Sequence, residues 1–488
     1  PGEQNHLPYD VVVERLHVDQ PEPTPPEPTP EEKPEHSVSI PVNGEWQTFP
    51  NQRAAEQAAY QEYRDNLRRN AENFRITDDH LGEGGPKAKY QANVAAIKLL
   101  KYLEETTGQA KPEQQEVLSR YVGWGGVADA FDPDKPAWDA EYSELKELLT
   151  PEEYAAARAS TLNAHYTSPT VIRAIYEAVE QMGFRTGNIL EPSCGVGNFF
   201  GMLPESMAGS RLYGVELDSI SGRIAQQLYP KANITVAGFE TTDRRDFYDL
   251  AIGNVPFGQY QVNDKAYNKL GFNIHNYFFA KALDQVRPGG VVAFVTSRYT
   301  MDAKDSTVRR YLAQRAELLG AIRLPNNAFR ANAGTDVVSD ILFLQKRDRP
   351  LDIAPDWTQT GRTEEGFTVN QYFLDHPEMV LGRPTAESTQ YGKQDYTVAP
   401  IEGLELADQL HDAVKYIRGT YQEAALPELG EGEDIDESLP ADPNVKNYSY
   451  TVVDGAVYFR ENSRMVRPDL NATAEARVKG LVGLRDCV

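Results

Sequence analysis

Three short motifs between Ile189 and Gly258 combine residue types and spacings that suit chemistry. The first is ILEPSCGVGNFF, Ile189 to Phe200, in which an apolar strand ends in Glu191-Pro192 and Cys194 leads into a Gly-x-Gly turn, Gly195 and Gly197. Missing β-carbons let a ligand approach the main chain closely, as in nucleotide-type cofactor loops. Dinucleotide binding wants a further glycine three residues on, but Phe200 stands there, so no pyrophosphate is implied. The acid ahead of the turn suits a ligand with a positive group, such as the amino-acid part of S-adenosylmethionine. The second motif is LYGVELD, Leu212 to Asp218, where Glu216 and Leu217 follow a strand. Glu216 lies 19 residues after Gly197, close to the roughly 20-residue spacing at which an acid meets ribose hydroxyls. The third is DLAIGNVPFG, Asp249 to Gly258, a strand that ends at Asn254-Val255-Pro256-Phe257. An aromatic or amide amine is a poor nucleophile because its lone pair is delocalised. An Asn side-chain oxygen and the Val255 carbonyl can accept its N–H bonds and hold the nitrogen nearer tetrahedral. Pro256 fixes the turn, and Phe257 offers a face to a flat base.

These motifs need a frame that brings strand ends together. From Ala164 to Lys346 apolar strand candidates alternate with helical stretches: Asn188–Leu190, Arg211–Val215, Ile234–Val236, Leu250–Ile252, Val291–Val295, Leu319–Arg323 and Ile341–Leu344. This alternation predicts an α/β, doubly wound, mostly parallel sheet, with ligands beyond the carboxyl ends of its strands. The three motifs fall at such ends.

The order of Gly195-x-Gly197 and then Asn254-Val-Pro-Phe257 resembles the amino-group S-adenosylmethionine-dependent DNA methyltransferases, which modify the exocyclic N6 amine of adenine. An upstream Tyr/Phe-Thr-x-Pro element of that family is matched in HYTSP by Tyr166, Thr167 and Pro169. The order resembles the type I and type IIG restriction-modification enzymes, over about residues 161–347. The flanks, including YVGWGG from Tyr121, look like methylase–helicase fusion proteins of plasmids, phages and conjugative elements. The resemblance implies a Rossmann-like class I methyltransferase sheet, S-adenosylmethionine as cofactor, DNA as substrate and a helicase domain as partner in a longer chain. It assigns the amine pocket to Asn254, Val255, Pro256 and Phe257. The cofactor falls to Tyr166, Thr167, Glu191, Pro192, Cys194, Gly195, Gly197, Glu216, Leu217 and Phe239, the last by stacking. Two positions depart from the family pattern. Val255 replaces a frequent proline, and Gly238 stands where an acid usually precedes the phenylalanine, with Glu240 or Asp243 nearby.

Composition sets the outer bounds. The chain has 488 residues and 49 Lys plus Arg against 73 Asp plus Glu, a formal charge of −24, which excludes a generally basic nucleic-acid coat. No apolar run is long enough to span a bilayer, no leader opens the chain, and two cysteines make no disulfide framework, so a cytoplasmic location is expected. No metal site is expected: His165 and His275 read as surface or packing residues, and Cys194 lacks partners for nucleophilic work. A P-loop is absent from the sequence. Residues 1–50, with PEPTPPEPTPEEKPE from Pro21, read as a Pro-rich disordered linker or tail. Residues 51–160 read as a helical accessory region, in which Trp124 is expected to pack rather than to stack on a base. Residues 161–350 form the expected methyltransferase domain, and 351–488 an α+β extension with a hairpin at 451–459. The acidic run Glu428–Glu437 reads as a solvated loop. Met301 to Pro350 holds nine Lys/Arg against six Asp/Glu, including Arg309, Arg310, Arg323 and Arg330; it reads as a face for DNA phosphates or a solvated helix face. Two alternatives to a DNA methylase stay open: an amino-methylase of RNA or of protein glutamine, and a degenerate fold serving as the DNA-recognition module of a helicase. An NAD-dependent oxidoreductase is disfavoured by Phe200.

Overall fold

The computed structural model describes residues 37–42, 44–106, 108–161, 166–329, 337–388, 394–421, 439–440, 445, 449–453, 455–461, 464–468 and 470–486. Pro21–Glu35, His165, Arg330, Glu428–Glu437, Asp454 and Cys487 lie outside these residues. Two compact units are distinguished, residues 1–66 and 67–488.

In the first unit, β1 (Val38–Val42) pairs antiparallel with β2 (Glu45–Phe49), and Val42 stands opposite Glu45. This corrects the reading of all of 1–50 as an unstructured tail. Helix α1 (Gln52–Asn70) follows, capped by Asn51, whose Oδ1 accepts from Ala54 N at 2.9 Å.

The second unit opens with helices α2 (Pro86–Glu105), α3 (Pro112–Ser119), α4 (Asp139–Leu148) and α5 (Pro151–Ser160). Thr150 and Glu153 close a capping box at the start of α5, as TPEEY predicts. Asn93, fully buried on α2, grips the glycine turn: its Nδ2 donates to Gly123 O at 2.6 Å and its Oδ1 accepts from Val122 N at 2.9 Å. Trp124 is buried edge-on against Phe131 and Tyr121; it is core, with no face for a base. The irregular segment ahead of these helices also docks on the α/β part of the unit, for Phe74 N donates to Leu228 O at 2.8 Å and Ile76 N to Gly201 O at 2.9 Å.

Next come α6 (Pro169–Gln181), β3 (Asn188–Glu191), α7 (Asn198–Gly201), β4 (Arg211–Glu216), α8 (Ser219–Leu228), β5 (Asn233–Val236), β6 (Tyr248–Asn254), α9 (Ile274–Gln285), β7 (Val286–Ser297), α10 (Tyr299–Asp302), α11 (Thr307–Arg315), β8 (Ala316–Arg323) and β9 (Ser339–Lys346). The seven strands form one sheet in the order β5-β4-β3-β6-β7-β9-β8. β5, β4, β3, β6 and β7 are parallel, and β9 runs antiparallel to both β7 and β8. This is a doubly wound, mostly parallel α/β sheet with one antiparallel strand near its edge. Central strands are covered on both faces, which is why Leu250–Ile252 and Val291–Val295 read as unbroken apolar runs. Each fully buried Leu, Ile, Val or Phe among them contributes about 1.5–3 kcal/mol. Between β5 and β6 the described chain makes one turn of 3-10 helix, Phe239–Thr241, and no α-helix.

Beyond the sheet, Thr360–Arg362 pairs with Thr368–Asn370, and Arg383–Ser388 with Gln394–Ala399. A four-stranded sheet includes Tyr450–Val453 paired with Ala456–Glu461. The basic stretch after Met301 is not one surface. Arg309 and Arg323 are fully buried, whereas Arg310 is exposed. Arg323 bridges Asp340 and Asp302, with Nε 2.8 Å from Asp340 Oδ1 and Nη1 2.9 Å from Asp302 Oδ2. Arg309 Nε donates to Thr358 O at 2.9 Å. Neither faces DNA or solvent. No helix among the described residues is long and apolar enough to cross a membrane.

Candidate active site

β3, β4 and β6 lie side by side, so their carboxyl ends bring the three motifs together. At the end of β3 the chain turns through Pro192 and Ser193 into the glycine loop. Gly195 (φ +55°) and Gly197 (φ +84°) are both left-handed, a conformation that a β-carbon disfavours. Gly197 also needs the space: a Cβ there would stand 2.5 Å from the buried Tyr229 ring. Gly197→Ala is therefore expected to cost about 2–4 kcal/mol of stability, strain and overlap together, read from the urea midpoint. Adding Tyr229→Leu should return the part due to overlap; a Gly197→Ala protein as stable as the parent would refute the reading.

Glu216 ties this loop to β4. Its Oε2 accepts from Gly195 N and its Oε1 from Asp218 N, both at 2.7 Å. Burial pushes its carboxyl up to about 7, against the pull of those two amides. Asp218 in turn caps α8, accepting from Ser221 N at 2.8 Å. Leu217, between the two acids, is 76% exposed, an apolar side chain left at the mouth of the site.

Glu191 is the most unusual group here. It is buried, its Oε2 has no hydrogen-bond partner among the described residues, and burial together with the nearby Glu216 charge holds it well above the ordinary carboxylate range. A buried carboxylate without a partner calls for a donor or a cation. The structure brings the third motif against it. A Cβ on Gly253 (φ +149°) would lie 3.3 Å from Glu191 Cγ. Ser193 Oγ donates to Asn254 O at 3.0 Å, and Val255 N donates to Val295 O at 3.1 Å. The Asn254 turn is thereby held on both sides, with its side-chain Oδ1 enclosed. No main-chain donor among the described residues claims the Val255 carbonyl. Pro256 and Phe257 are half-buried. Behind them His275 is buried and hydrogen-bonded to the Gly258 main chain; burial lowers it to about 4, so it stays neutral.

Tyr166 closes the other side, its ring 3.5 Å from where a Gly195 Cβ would stand. Thr167 is buried, and Pro169 opens α6. Two expected contacts change. The Cys194 thiol turns into the core, 2.9 Å from a Cβ built on Gly214, so only its main chain borders the loop. Phe239 is 3% exposed with its ring packed at 5.0 Å on Phe278, and offers no open face for stacking. At Gly238 the carboxylate of Glu240 occupies the space a side chain would fill. Ser193, Tyr229, Gly253 and His275 were not singled out as site residues by sequence reasoning. Only Gly253, a glycine one residue before Asn254, carried any signal.

The site's groups fit an S-adenosylmethionine cofactor: an orphaned buried carboxylate for a cation, a side-chain-free cradle and a strand-end acid. Residues 147–354 match the family described as N-6 DNA methylase. The defense against restriction protein B of Escherichia phage P1 is 28% identical over 272 residues, 54% of this chain and 10% of that protein. A type II methyltransferase of Paramecium bursaria Chlorella virus XZ-6E is 39% identical over 93 residues, 19% of this chain and 24% of its own. A type II methyltransferase of Thermus thermophilus is 27% identical over 186 residues, 34% of this chain and 42% of its own. The chain thus spans less than half the length of each of these relatives.

Proposed function

From a domain over residues 147–354 that is similar to the N-6 DNA methylases, we propose that this chain transfers a methyl group from S-adenosylmethionine to the exocyclic N6 amine of adenine in DNA. The observation that carries the reading is the Ser193–Asn254 hydrogen bond of 3.0 Å, which fastens the amine turn to the glycine loop. When bound, S-adenosylmethionine supplies an electrophilic methyl on a sulfonium. The chain's own residues then do the rest. Glu191 receives the cofactor's ammonium, Gly195 and Gly197 admit its backbone, Tyr166 and Thr167 wall it in, and Glu216 accepts from the ribose with the lone pairs its amide bonds leave open. Leu217 covers the adenine in the role expected of Phe239, and Glu240 stands in for the acid missing at Gly238. Asn254 Oδ1 and the Val255 carbonyl accept the two N–H bonds of the target amine, and Phe257 stacks on its ring. A base inside a duplex must be flipped out to reach them. Valine at 255 suits this chain because its N–H is spent on Val295 O, a bond proline cannot make.

Incubating the chain with tritiated S-adenosylmethionine and DNA, RNA or protein in parallel tests the proposal. Label is expected in DNA and, after nuclease digestion, in N6-methyladenine; label in RNA or protein alone, or in nothing, sinks it. The Glu191–Glu216 pair adds a pH test. Glu216 is pushed up to about 7 and Glu191 is held above the usual carboxylate range, and an arriving cation favours the ionised form of both. Cofactor binding should therefore release up to about one proton near pH 7 and tighten as pH rises toward 8. Calorimetry in buffers of different ionisation heat measures this, and Glu191→Gln should remove most of it.

A further inference from the structure

The turn that carries Asn254 is held from a second direction, by the first turn of α9. Asn273 stands at the N-cap of that helix, yet its side chain makes no cap bond; its Nδ2 donates instead to Gln259 Oε1 at 2.9 Å. Ile274 N, one of the amides that a helix start leaves without an internal partner, donates to Tyr260 O at 2.8 Å. Gln261 Nε2 adds a bond to Gly271 O at 3.2 Å. The chain leaving Phe257 is thus tied at successive residues to the chain that returns as α9. The helix start is itself seated on β7: Thr300 Oγ1 donates to Asn276 Oδ1 at 3.3 Å, and Thr296 Oγ1 lies 2.9 Å from Thr300 Oγ1. β7 is the strand whose Val295 pairs with Asn254.

His275 is the buried member of this set, 2% exposed and in contact with the Gly258 main chain. Its Nδ1 is enclosed and has no hydrogen-bond partner among the described residues. The Gly258 contact therefore falls to Nε2, and it favours a proton on the ring, as a carbonyl acceptor does. Burial keeps the imidazole neutral, so it carries one proton and makes one bond, from Nε2–H to Gly258 O. A leucine would fill the same space without burying a polar ring. What the imidazole adds is a fixed donor under the residue that follows Phe257. Gly258 suits that contact, because a Cβ there would stand 2.4 Å from Tyr260 Cε1 and would push either the ring or the turn out of place.

We infer that His275 is a positioning residue for the target amine: through the Gly258 carbonyl it fixes the Pro256–Phe257 turn, and with it the angle at which Asn254 Oδ1 and the Val255 carbonyl meet the amine. The inference rests on the methyl-transfer reading and adds to it a residue that acts only through the main chain. His275→Leu should lower kcat for DNA methylation by about 10–10²-fold, the loss expected when a reacting group is misplaced by about 1 Å. Affinity for S-adenosylhomocysteine should stay within about threefold. His275→Gln, whose side-chain nitrogen reaches about as far as the imidazole Nε2, should recover most of the rate. His275→Asn, whose amide ends where Nδ1 does, should not, and it decides the matter where His275→Leu fails to fold. Hydrogen exchange over residues 257–261 gives a readout that needs no catalysis. It should be about tenfold faster in His275→Leu and His275→Asn, the worth of one hydrogen bond, and near parental in His275→Gln. Parental rate and exchange in the leucine and asparagine variants overturn the inference, as does a loss that glutamine fails to recover. A fall in rate with unchanged exchange would place His275 among the reacting groups and overturns it too. A parent chain that transfers no methyl group refutes the methyl-transfer reading and this role together; a parent that transfers while His275→Leu matches it refutes the role alone.

Discussion

Asn254→Ala should lower methyl transfer to DNA by about 10²–10³-fold, the usual loss when one preorganised polar partner of the reacting group is removed. Affinity for S-adenosylhomocysteine should stay within about threefold, because the interaction lost is made mainly as the amine reacts. The two halves of that expectation come from different parts of the site. Cofactor binding depends on Glu191, the glycine loop and Glu216, which the substitution leaves in place. Amine orientation depends on the Asn254 side chain, while its main-chain oxygen, held by Ser193 Oγ, survives in alanine. Tritium incorporation and calorimetry on one preparation separate the two. Transfer at the parental rate would remove Asn254 from the mechanism, whereas a joint loss of transfer and binding would point to a collapsed loop.

The largest effect on stability is expected at Arg323, far from that chemistry. Arg323→Leu should lower unfolding free energy by about 3–5 kcal/mol, since removing one partner strands buried charges. Asp340 and Asp302, both buried, lose the guanidinium that holds them at 2.8 and 2.9 Å. Burial already pushes Asp340 upward against the pull of Arg323. In the variant that carboxyl should take up a proton, so a group with a raised folded pKa adds stability at low pH that is lost as pH rises. The deficit should be larger at pH 8 than at pH 5, with the urea midpoint as readout. Arg323→Lys keeps a charge but loses the fork and should fall between. A deficit near zero at both pH values would mean that the carboxylates carry no charge in the parent.

Much of this architecture was legible in the chain because buried parallel strands cannot hide their apolar runs. Val291–Val295 and Leu250–Ile252 declare themselves, and the acids and glycines at their neighbours' ends locate the site. Direction was what the sequence withheld. Counting Arg309 and Arg323 as a basic surface fails because charge along a chain carries no information about which side of an element faces solvent. Phe239 and Cys194 sit at the motif positions expected, yet turn inward, a choice made by Phe278 and by the gap at Gly214. The β1–β2 hairpin was masked by the proline-rich composition ahead of it. The start of β7 was also hidden, because Arg287-Pro288-Gly289-Gly290 has the composition of a turn yet lies inside the strand Val286–Ser297.

Strand order carries a consequence for synthesis. β9 is the last of the seven to emerge from the ribosome, yet it fills the slot between β7 and β8. Until Lys346 has cleared the exit tunnel, two long apolar strands stand with bare edges in the nascent chain, the state most open to mispairing with a neighbour on the same polysome. The interval is short in residues, but it is where slow translation or early termination would do the most harm.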